Sequence, residues 1–192
     1  MSLPENTVSV FPVPGVFEPP DGKRGQQLED FEAGGVAVQN TSEGLSAYEW
    51  RCWVDGSDVK LQRVGAAEQT VFQQADIAEI ALAFDQNMRP SVAYTTTTGS
   101  LYLRWYDSVA AQYTTTSFGT ARNPRLSLDD KRPENSSGSD IIFAYIRGTT
   151  LYWRQQRDRY QTEYVAATDI GAKTSLLDIG LTKTLRFQFQ IG

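Results

Sequence analysis

The residues that could carry out chemistry are few, and the commonest catalytic side chain is missing. The 192 residues contain no histidine and one cysteine, Cys52. Histidine is the usual general base and metal ligand, so its absence removes the most frequent catalytic and metal-binding arrangements. Cys52 has no second cysteine with which to form a disulfide within this sequence. It lies between Trp50 and Trp53 in a strand-like run, and we predict a buried structural thiol.

Acidic residues form two adjacent pairs, Glu29-Asp30 and Asp129-Asp130. Glycoside hydrolysis needs two carboxyl groups facing each other across a bond, an arrangement that neighbours on one turn rarely achieve. Together with Glu134 and Asp140, the second pair offers oxygens of the kind that calcium binds, but no twelve-residue calcium loop surrounds it. Serine nucleophile elbows and phosphate-binding glycine loops are also missing from the sequence. We therefore predict no enzyme activity, no metal site and no cofactor.

The most basic run, residues 154–160, directly follows two aromatic residues. Basic groups interleaved with aromatic rings can bind single-stranded nucleic acid or sugars. If the run continues as a strand, Arg154 and Gln156 face one side, and Arg157 and Arg159 the other. The favoured interpretation is a cross-strand pairing face, with arginines stacked on aromatic rings and ion-paired to an acidic residue. The candidate acidic partners are Asp107, Asp158 and Glu163.

The elements that would position these residues are β-strands. Between residues 80 and 107, three apolar segments alternate with period two and are separated by turns, which is typical of an antiparallel meander. The β-branched and aromatic side chains suit such a half-buried surface. No segment favours a helix, including residues 76–83. Candidate strands are 35–39, 46–54, 58–64, 68–73, 77–84, 91–96, 100–106, 111–116, 123–128, 140–146, 150–155, 160–165, 175–179 and 183–190.

The sequence also contains an internal repeat. Residues 82–90 resemble residues 126–133, and Ala-Tyr pairs begin at Ala47, Ala93 and Ala144, with spacings of 46 and 51 residues. Such spacings fall in the range of four-stranded units such as propeller blades. We predict a single all-β domain over residues 35–192, with repeat-like units near 35–73, 77–116 and 123–165. Propeller-like repeats and a two-sheet β-sandwich both accommodate these meanders, and both alternatives stay open.

Residues 1–34 differ in composition from the rest, because they hold five of the eight prolines. Proline fixes φ and has no amide hydrogen to donate, so we predict an extended N-terminal arm. The arm also carries the apolar residues that disordered segments usually lack. Phe11, Val16 and Phe17 are the candidate interface residues, on the same domain or a neighbouring subunit. Residues 7–17 could also complete the last repeat unit by pairing with 183–190.

Composition narrows the possible partners and the location. The net charge of −5 argues against direct binding to nucleic acid, which depends on basic contacts to phosphate. No apolar run approaches the ~20 residues that span a bilayer, so we expect no membrane contact. The first residues lack the basic start and apolar core of a signal peptide. We expect synthesis in a cytoplasm.

Several stretches together resemble small structural proteins encoded among the virion genes of tailed bacteriophages. They are the proline-rich start and residues 31–37, 83–90, 128–132, 144–147 and 152–160. The likeness covers most of residues 30–165 and includes no site motif. It implies a minor virion component of the tail, neck or fibre-attachment region, made in the host cytoplasm. Its partners would be other virion proteins, and a homo-oligomer or ring would hold them in a symmetric assembly.

An alternative hypothesis is a receptor- or glycan-binding β module. Its candidate binding face comprises Trp105, Tyr106 and Trp153, together with the 129–140 loop that begins with Asp129 and Asp130. Loops on a rigid β scaffold often carry contacts. Exposed aromatic rings would favour this alternative, and buried rings would favour the structural role.

Overall fold

The computed structural model describes residues 32–41, 44–85, 89–128, 141–181 and 187–192. In these residues the prediction of an all-β chain is confirmed, because the regular elements are antiparallel strands apart from one 3₁₀ helix, Gln156–Asp158. The strands are β1 Glu32–Thr41, β2 Gly44–Asp55, β3 Asp58–Arg63, β4 Gln69–Gln73, β5 Ile77–Phe84, β6 Pro90–Thr96, β7 Ser100–Asp107, β8 Gln112–Thr120, β9 Arg122–Leu128, β10 Ile141–Arg147, β11 Thr150–Gln155, β12 Tyr164–Ala167, β13 Leu176–Leu181 and β14 Phe187–Ile191.

The strands form three antiparallel meanders and one antiparallel pair, in chain order. Sheet 1 contains β1 to β4, sheet 2 contains β5 to β8, sheet 3 contains β9 to β12, and sheet 4 pairs β13 with β14. Glycines with positive φ, Gly99 and Gly148, close the hairpins between the second and third strands of sheets 2 and 3. Residues with a Cβ adopt this conformation only at a cost, which explains why each of these two turns contains a glycine.

The sheets follow one another through their first strands. β1 contacts β5, β5 contacts β9, and β9 contacts β13. Strands of the middle sheets are buried on both faces, as in β5 of sheet 2 and β10 of sheet 3, where nearly every residue is buried. A sheet that is covered on both faces requires continuous apolar runs instead of strict alternation. The core therefore lies in the successive junctions between sheets.

One predicted strand is wrong. We expected strands over 150–155 and 160–165; β11 ends at Gln155 as expected, but β12 begins only at Tyr164. The 3₁₀ helix lies between them, and Arg159 and Tyr160 adopt φ values of 60° and 58°. Two successive left-handed residues reverse the chain direction, so the alternation expected for Arg157 and Arg159 does not apply. The reversal buries Tyr160, which is 1 % exposed.

Several expectations concern residues outside the described ranges. The candidate interface residues Phe11, Val16 and Phe17 are among them, as are Asp129 and Asp130. β1 begins at Glu32, so residues 32–34, which we assigned to the arm, belong to sheet 1. Cys52 is fully buried in β2, as predicted.

Candidate functional site

Sheets 2 and 3 present the same side chains at the same register. In sheet 2, Tyr94 on β6 pairs with Tyr102 on β7, and Arg104 lies two residues further along β7. The two tyrosine rings stack with centroids 5.4 Å apart. In sheet 3 a second stacked tyrosine pair has centroids 6.0 Å apart. The corresponding residues of sheet 3 are Tyr145, Tyr152 and Arg154.

Each of these arginines also lies over a phenylalanine from the last strand of the preceding sheet. The guanidinium carbon of Arg104 is 5.4 Å from the ring centroid of Phe72 on β4. That of Arg154 is 5.0 Å from the ring centroid of Phe118 on β8. Arginine over an aromatic face is a favourable cation–π contact. The junction between sheets 1 and 2 is therefore built on the same plan as the junction between sheets 2 and 3.

The junction between sheets 2 and 3 is closed by polar contacts around Arg154. Its guanidinium forms an ion pair of 2.9 Å with Glu163 and donates to the carbonyl oxygens of Tyr160 and Gln161 at 2.7 and 3.0 Å. Its Nε donates to the Tyr145 hydroxyl at 2.8 Å. All the nitrogens of this arginine thus have acceptors, which satisfies a side chain that would otherwise be costly to bury.

Glu163 gathers several donors at this junction. It accepts a hydrogen bond from the Tyr145 hydroxyl and forms ion pairs with Arg154 and, at 3.0 Å, with Arg147. Burial opposes ionisation, but the hydrogen bonds from Tyr145, Arg154 and Arg147 hold the pKa of Glu163 below its usual value. Burial is also the main reason why the pKa of Tyr145 is raised to about 12. Glu163 is therefore a carboxylate at neutral pH.

The turn between β11 and β12 positions the residues that connect sheet 3 to sheet 2. Tyr160 inserts its ring against the edge of Trp105 in sheet 2, with centroids 5.1 Å apart. Arg159 forms an ion pair with the buried Asp107 at the end of β7. The predicted pairing of the basic run with Asp107 and Glu163 is confirmed: Arg154 on β11 pairs with Glu163, and Arg159 in the turn pairs with Asp107.

The junction between sheets 1 and 2 is open. It contains a cavity of about 260 Å³, which we call the aromatic cleft. Trp50 and Phe84 pack together at one wall, with ring centroids 4.7 Å apart. The lining is mainly aromatic and aliphatic, and it consists of Trp50, Leu61, Gln69, Val71, Phe72, Phe84, Pro90, Val92, Arg104 and Tyr113.

Arg104 supplies the positive charge of the aromatic cleft. Its guanidinium carbon lies 5.4 Å from the ring centroid of Phe72 and 5.3 Å from that of Tyr113. Among the described residues, no carboxylate or other acceptor binds it. The residue opposite Arg104 on β8 is the neutral Thr115. Continuing the register of β12 by one residue from the Trp153–Tyr164 pair places Glu163 opposite Arg154.

One residue that lines the aromatic cleft has a donor without an acceptor. The indole N–H of Trp50 is buried and has no hydrogen-bond partner in the described part of the chain. The cleft itself combines apolar walls with one cation, which is a common composition of ligand sites.

The predicted binding face is not one surface. Trp105 is 3 % exposed, and its indole N–H donates to the Thr116 hydroxyl at 3.1 Å. Tyr106 points to the opposite face of β7, where the Arg89 guanidinium carbon lies 3.9 Å from its ring centroid. Trp153 belongs to sheet 3 and stacks on Tyr164 with centroids 4.6 Å apart. Neighbours along a strand face opposite sides, which separates Trp105 from Tyr106.

A buried polar cluster lies where the first strands of sheets 2, 3 and 4 meet. Glu79 accepts hydrogen bonds from the Thr95 hydroxyl and from the backbone and side-chain nitrogens of Asn123, all within 2.9 Å. Beside them, burial lowers the pKa of Arg125 to about 10. Burial likewise raises the pKa of Asp178 to about 6. Because these groups bond mainly to one another and to backbone, we interpret the cluster as a structural tie between strands.

Sequence reasoning missed both the aromatic cleft and the polar cluster. The cleft draws Trp50, Phe72 and Tyr113 from three separate segments, and no local pattern joins them. For the cluster a signal existed, since Glu79 interrupts an otherwise apolar stretch of β5. A charged residue inside such a strand indicates a buried, paired carboxylate.

In the described ranges, no group of three or more acidic, cysteine or histidine residues is placed to hold a metal ion. None of the helices there is long and apolar enough to cross a membrane. Neither a protein-family model nor a curated protein sequence matches this chain.

Proposed function

We propose that this protein is a non-enzymatic structural component of a tailed-phage virion, where it joins or decorates tail, neck or fibre parts. The observation that carries the proposal is the last sheet, which has fewer strands than the others in the part of the chain that the structure describes. Sheets 1 to 3 have four strands each, whereas in the described residues sheet 4 has two. An open sheet edge offers unpaired backbone groups to another segment or subunit. The likeness of residues 30–165 to small virion proteins supports the same class.

The use of the aromatic side chains also supports a scaffold role. Trp105, Phe143 and Tyr160 pack between sheets 2 and 3 and hold them together. A receptor-binding surface would instead expose such rings to its ligand. The proposal includes residence in the virion, synthesis in the host cytoplasm, and contacts to other virion proteins without cofactor, membrane or nucleic acid.

A propeller-like arrangement is the finer fold that we propose. Three consecutive four-stranded meanders whose first strands contact in succession match the order of propeller blades. A two-sheet sandwich would cover each sheet on one face only, whereas sheet 2 packs on both sheet 1 and sheet 3. Completion of sheet 4 by residues 7–17, or by a neighbouring subunit, would remove its open edge.

Native mass is the first test of the assembly role. The chain has a mass of 21.4 kDa, so a ring or other closed oligomer gives a clear multiple in native mass spectrometry. We expect such a multiple, and we expect a variant lacking residues 2–25 to fold but to assemble weakly. A monomer that also fails to bind phage particles from which it has been omitted contradicts the proposal. Failure of the shortened chain to fold would instead assign the arm to the core.

A receptor- or glycan-binding module is the second candidate function. It is favoured by one observation, the stacked pair of Trp153 and Tyr164, because Tyr164 is 38 % exposed. Flat aromatic surfaces of this kind suit sugar rings. A glycan array with the wild type and Trp153→Ala separates the two functions. Binding that Trp153→Ala abolishes supports the module, while unchanged binding, or none, counts against it.

A further inference from the structure

The closed junction serves as a template for what the open junction lacks. Around Arg154, the chain itself provides one carboxylate, from Glu163, and two backbone carbonyl oxygens, from Tyr160 and Gln161. Arg104 occupies the equivalent place beside the aromatic cleft, with Thr115 opposite it. The missing complement is therefore a peptide segment that carries a carboxylate.

The walls of the aromatic cleft define the residues next to that carboxylate. Trp50, Phe72, Phe84 and Tyr113 surround a volume of about 260 Å³, which has room for a few side chains but not for a folded domain. Grooves lined by aromatic rings bind proline-rich segments, because such segments are already extended and lose little entropy on binding.

We infer that the aromatic cleft binds an acidic, proline-flanked peptide, and that its occupant is residues 16–20 of this chain, Val-Phe-Glu-Pro-Pro. Glu18 is the carboxylate for Arg104, and Phe17, Pro19 and Pro20 fill the aromatic walls. The other acidic residue among the first 20, Glu5, follows Pro4 and has no aromatic neighbour or following prolines. Charge and side-chain type thus both select residues 16–20.

The connection to sheet 1 allows this contact. The described chain begins at Glu32 on β1, and β1 pairs with β2 so that Gly35 lies opposite Trp50 of the aromatic cleft. The residues between Pro20 and Glu32 can span up to about 40 Å when extended. The segment can therefore reach the cleft of its own chain or that of a neighbouring copy. The inference deepens the proposed function, in which the arm makes the assembly contact.

Disulfide trapping in the full-length chain tests the inference. Asp21→Cys is placed just after the segment, and Gln69→Cys at the exposed rim of the aromatic cleft. The control pairs Asp21→Cys with Val165→Cys, an exposed position on β12 in sheet 3. We expect the cleft pair to be trapped at least about tenfold faster than the control pair. A denaturing gel then distinguishes a link within one chain from a link between two.

Charge variants test whether Glu18 contacts Arg104. In the cleft pair, Glu18→Gln is expected to slow trapping about tenfold, as loss of a hydrogen bond between charged groups does. Arg104→Gln is expected to slow trapping by a similar factor. The matched control is Glu5→Gln, which should leave the rate unchanged. Because Glu18 lies outside the described β fold, this variant stays informative even if Arg104→Gln does not fold. A synthetic peptide of residues 15–22 should compete, and a scrambled peptide should not.

The outcomes separate this inference from the proposed function. Equal trapping in the cleft and control pairs, or trapping that Glu18→Gln does not slow, overturns the assignment of residues 16–20 to the aromatic cleft. If native mass still depends on residues 2–25 in that case, the assembly role stands and the arm docks elsewhere. Rapid trapping within one chain in a monomeric protein supports the inference and counts against the assembly role.

Discussion

The two junctions on either side of sheet 2 share a design but differ in what completes them. Both place an arginine of the third strand over a phenylalanine of the preceding sheet, beside a stacked tyrosine pair. At one junction Glu163 and a chain reversal satisfy Arg154. At the other, a threonine takes the place of the glutamate and a cleft remains around Arg104.

The difference lies in one polar side chain, and the apolar residues around it are alike. The apolar frame of the junction stays the same and provides the packing. Replacing one carboxylate by a neutral residue leaves an arginine whose charge an outside group can satisfy. Charged groups held in a largely apolar site bind a matching group more strongly than they would in water.

The largest expected effect compares the two phenylalanines. Phe118 is 8 % exposed, whereas Phe72 is half-buried at the aromatic cleft. Phe118→Ala should lower the free energy of unfolding by about 3–4 kcal/mol, and Phe72→Ala by about 1–2 kcal/mol, because a cavity in a closed core costs more than one beside solvent. Urea unfolding, monitored by tryptophan fluorescence, measures the free energy of unfolding of both variants. Equal losses would mean that the cleft is packed as tightly as the closed junction.

A smaller effect concerns the carboxylate of the closed junction. Glu163→Gln should lower the free energy of unfolding by about 2 kcal/mol, since Arg147 and Arg154 lose their ionic partner and partial exposure limits the loss. Thr115→Ala, at the equivalent place in sheet 2, should change it by no more than about 0.5 kcal/mol. Urea titration measures the change in the free energy of unfolding for both variants. A similar change in both variants would contradict the asymmetry of the two junctions.

The contribution of Glu163 should also depend on pH. Its pKa is lowered from the usual 4.5 in the folded protein, so its stabilisation is complete above the unfolded pKa and is lost as pH falls through the folded pKa. The difference in unfolding free energy between wild type and Glu163→Gln should stay constant from about pH 7 to pH 5 and shrink below about pH 4.5. Thr115→Ala should show no such change. A difference that grows on acidification would refute the assigned ion pairs.

The smallest expected effect comes from closing the open junction. Thr115→Glu places a carboxylate opposite Arg104 and should raise the free energy of unfolding by about 0.5–1 kcal/mol, because the pair is partly exposed. Ser117→Glu, opposite the neutral Tyr102, adds the same charge and serves as the control. Thermal unfolding of Thr115→Glu and Ser117→Glu measures the two changes in stability. No gain over the control would mean that the two arginines are not in equivalent places.

Most of the strand order could be predicted from local sequence. Apolar runs and turn residues located β5, β6 and β7 to within a residue or two, although only β7 shows the expected alternation of buried and half-buried residues. The repeated Ala-Tyr pairs indicated that sheets 2 and 3 would resemble each other. The turn at Arg159 and Tyr160 could not be predicted, since its left-handed conformation is stabilised by burial of Tyr160 against Trp105, a contact distant in sequence.

The candidate site was predictable only in part. The pairing of the basic run with Asp107 and Glu163 followed from the need of an arginine for a carboxylate on a neighbouring strand. The aromatic cleft could not be recognised, because Arg104 and Arg154 stand in nearly the same local sequence. Only the register of β8 and β12 shows that one arginine faces Thr115 and the other binds Glu163.

The amino-acid sequence by itself determined the β character of the chain, the length of its strands and the similarity of its repeated units, because alternation, turns and side-chain size act over a few residues. The tertiary structure decided which junction closes and which stays open. That choice depends on contacts between residues 9 to 34 positions apart, such as Arg154 with Glu163 and Trp50 with Phe84. Contacts at such distances form only when whole sheets pack together.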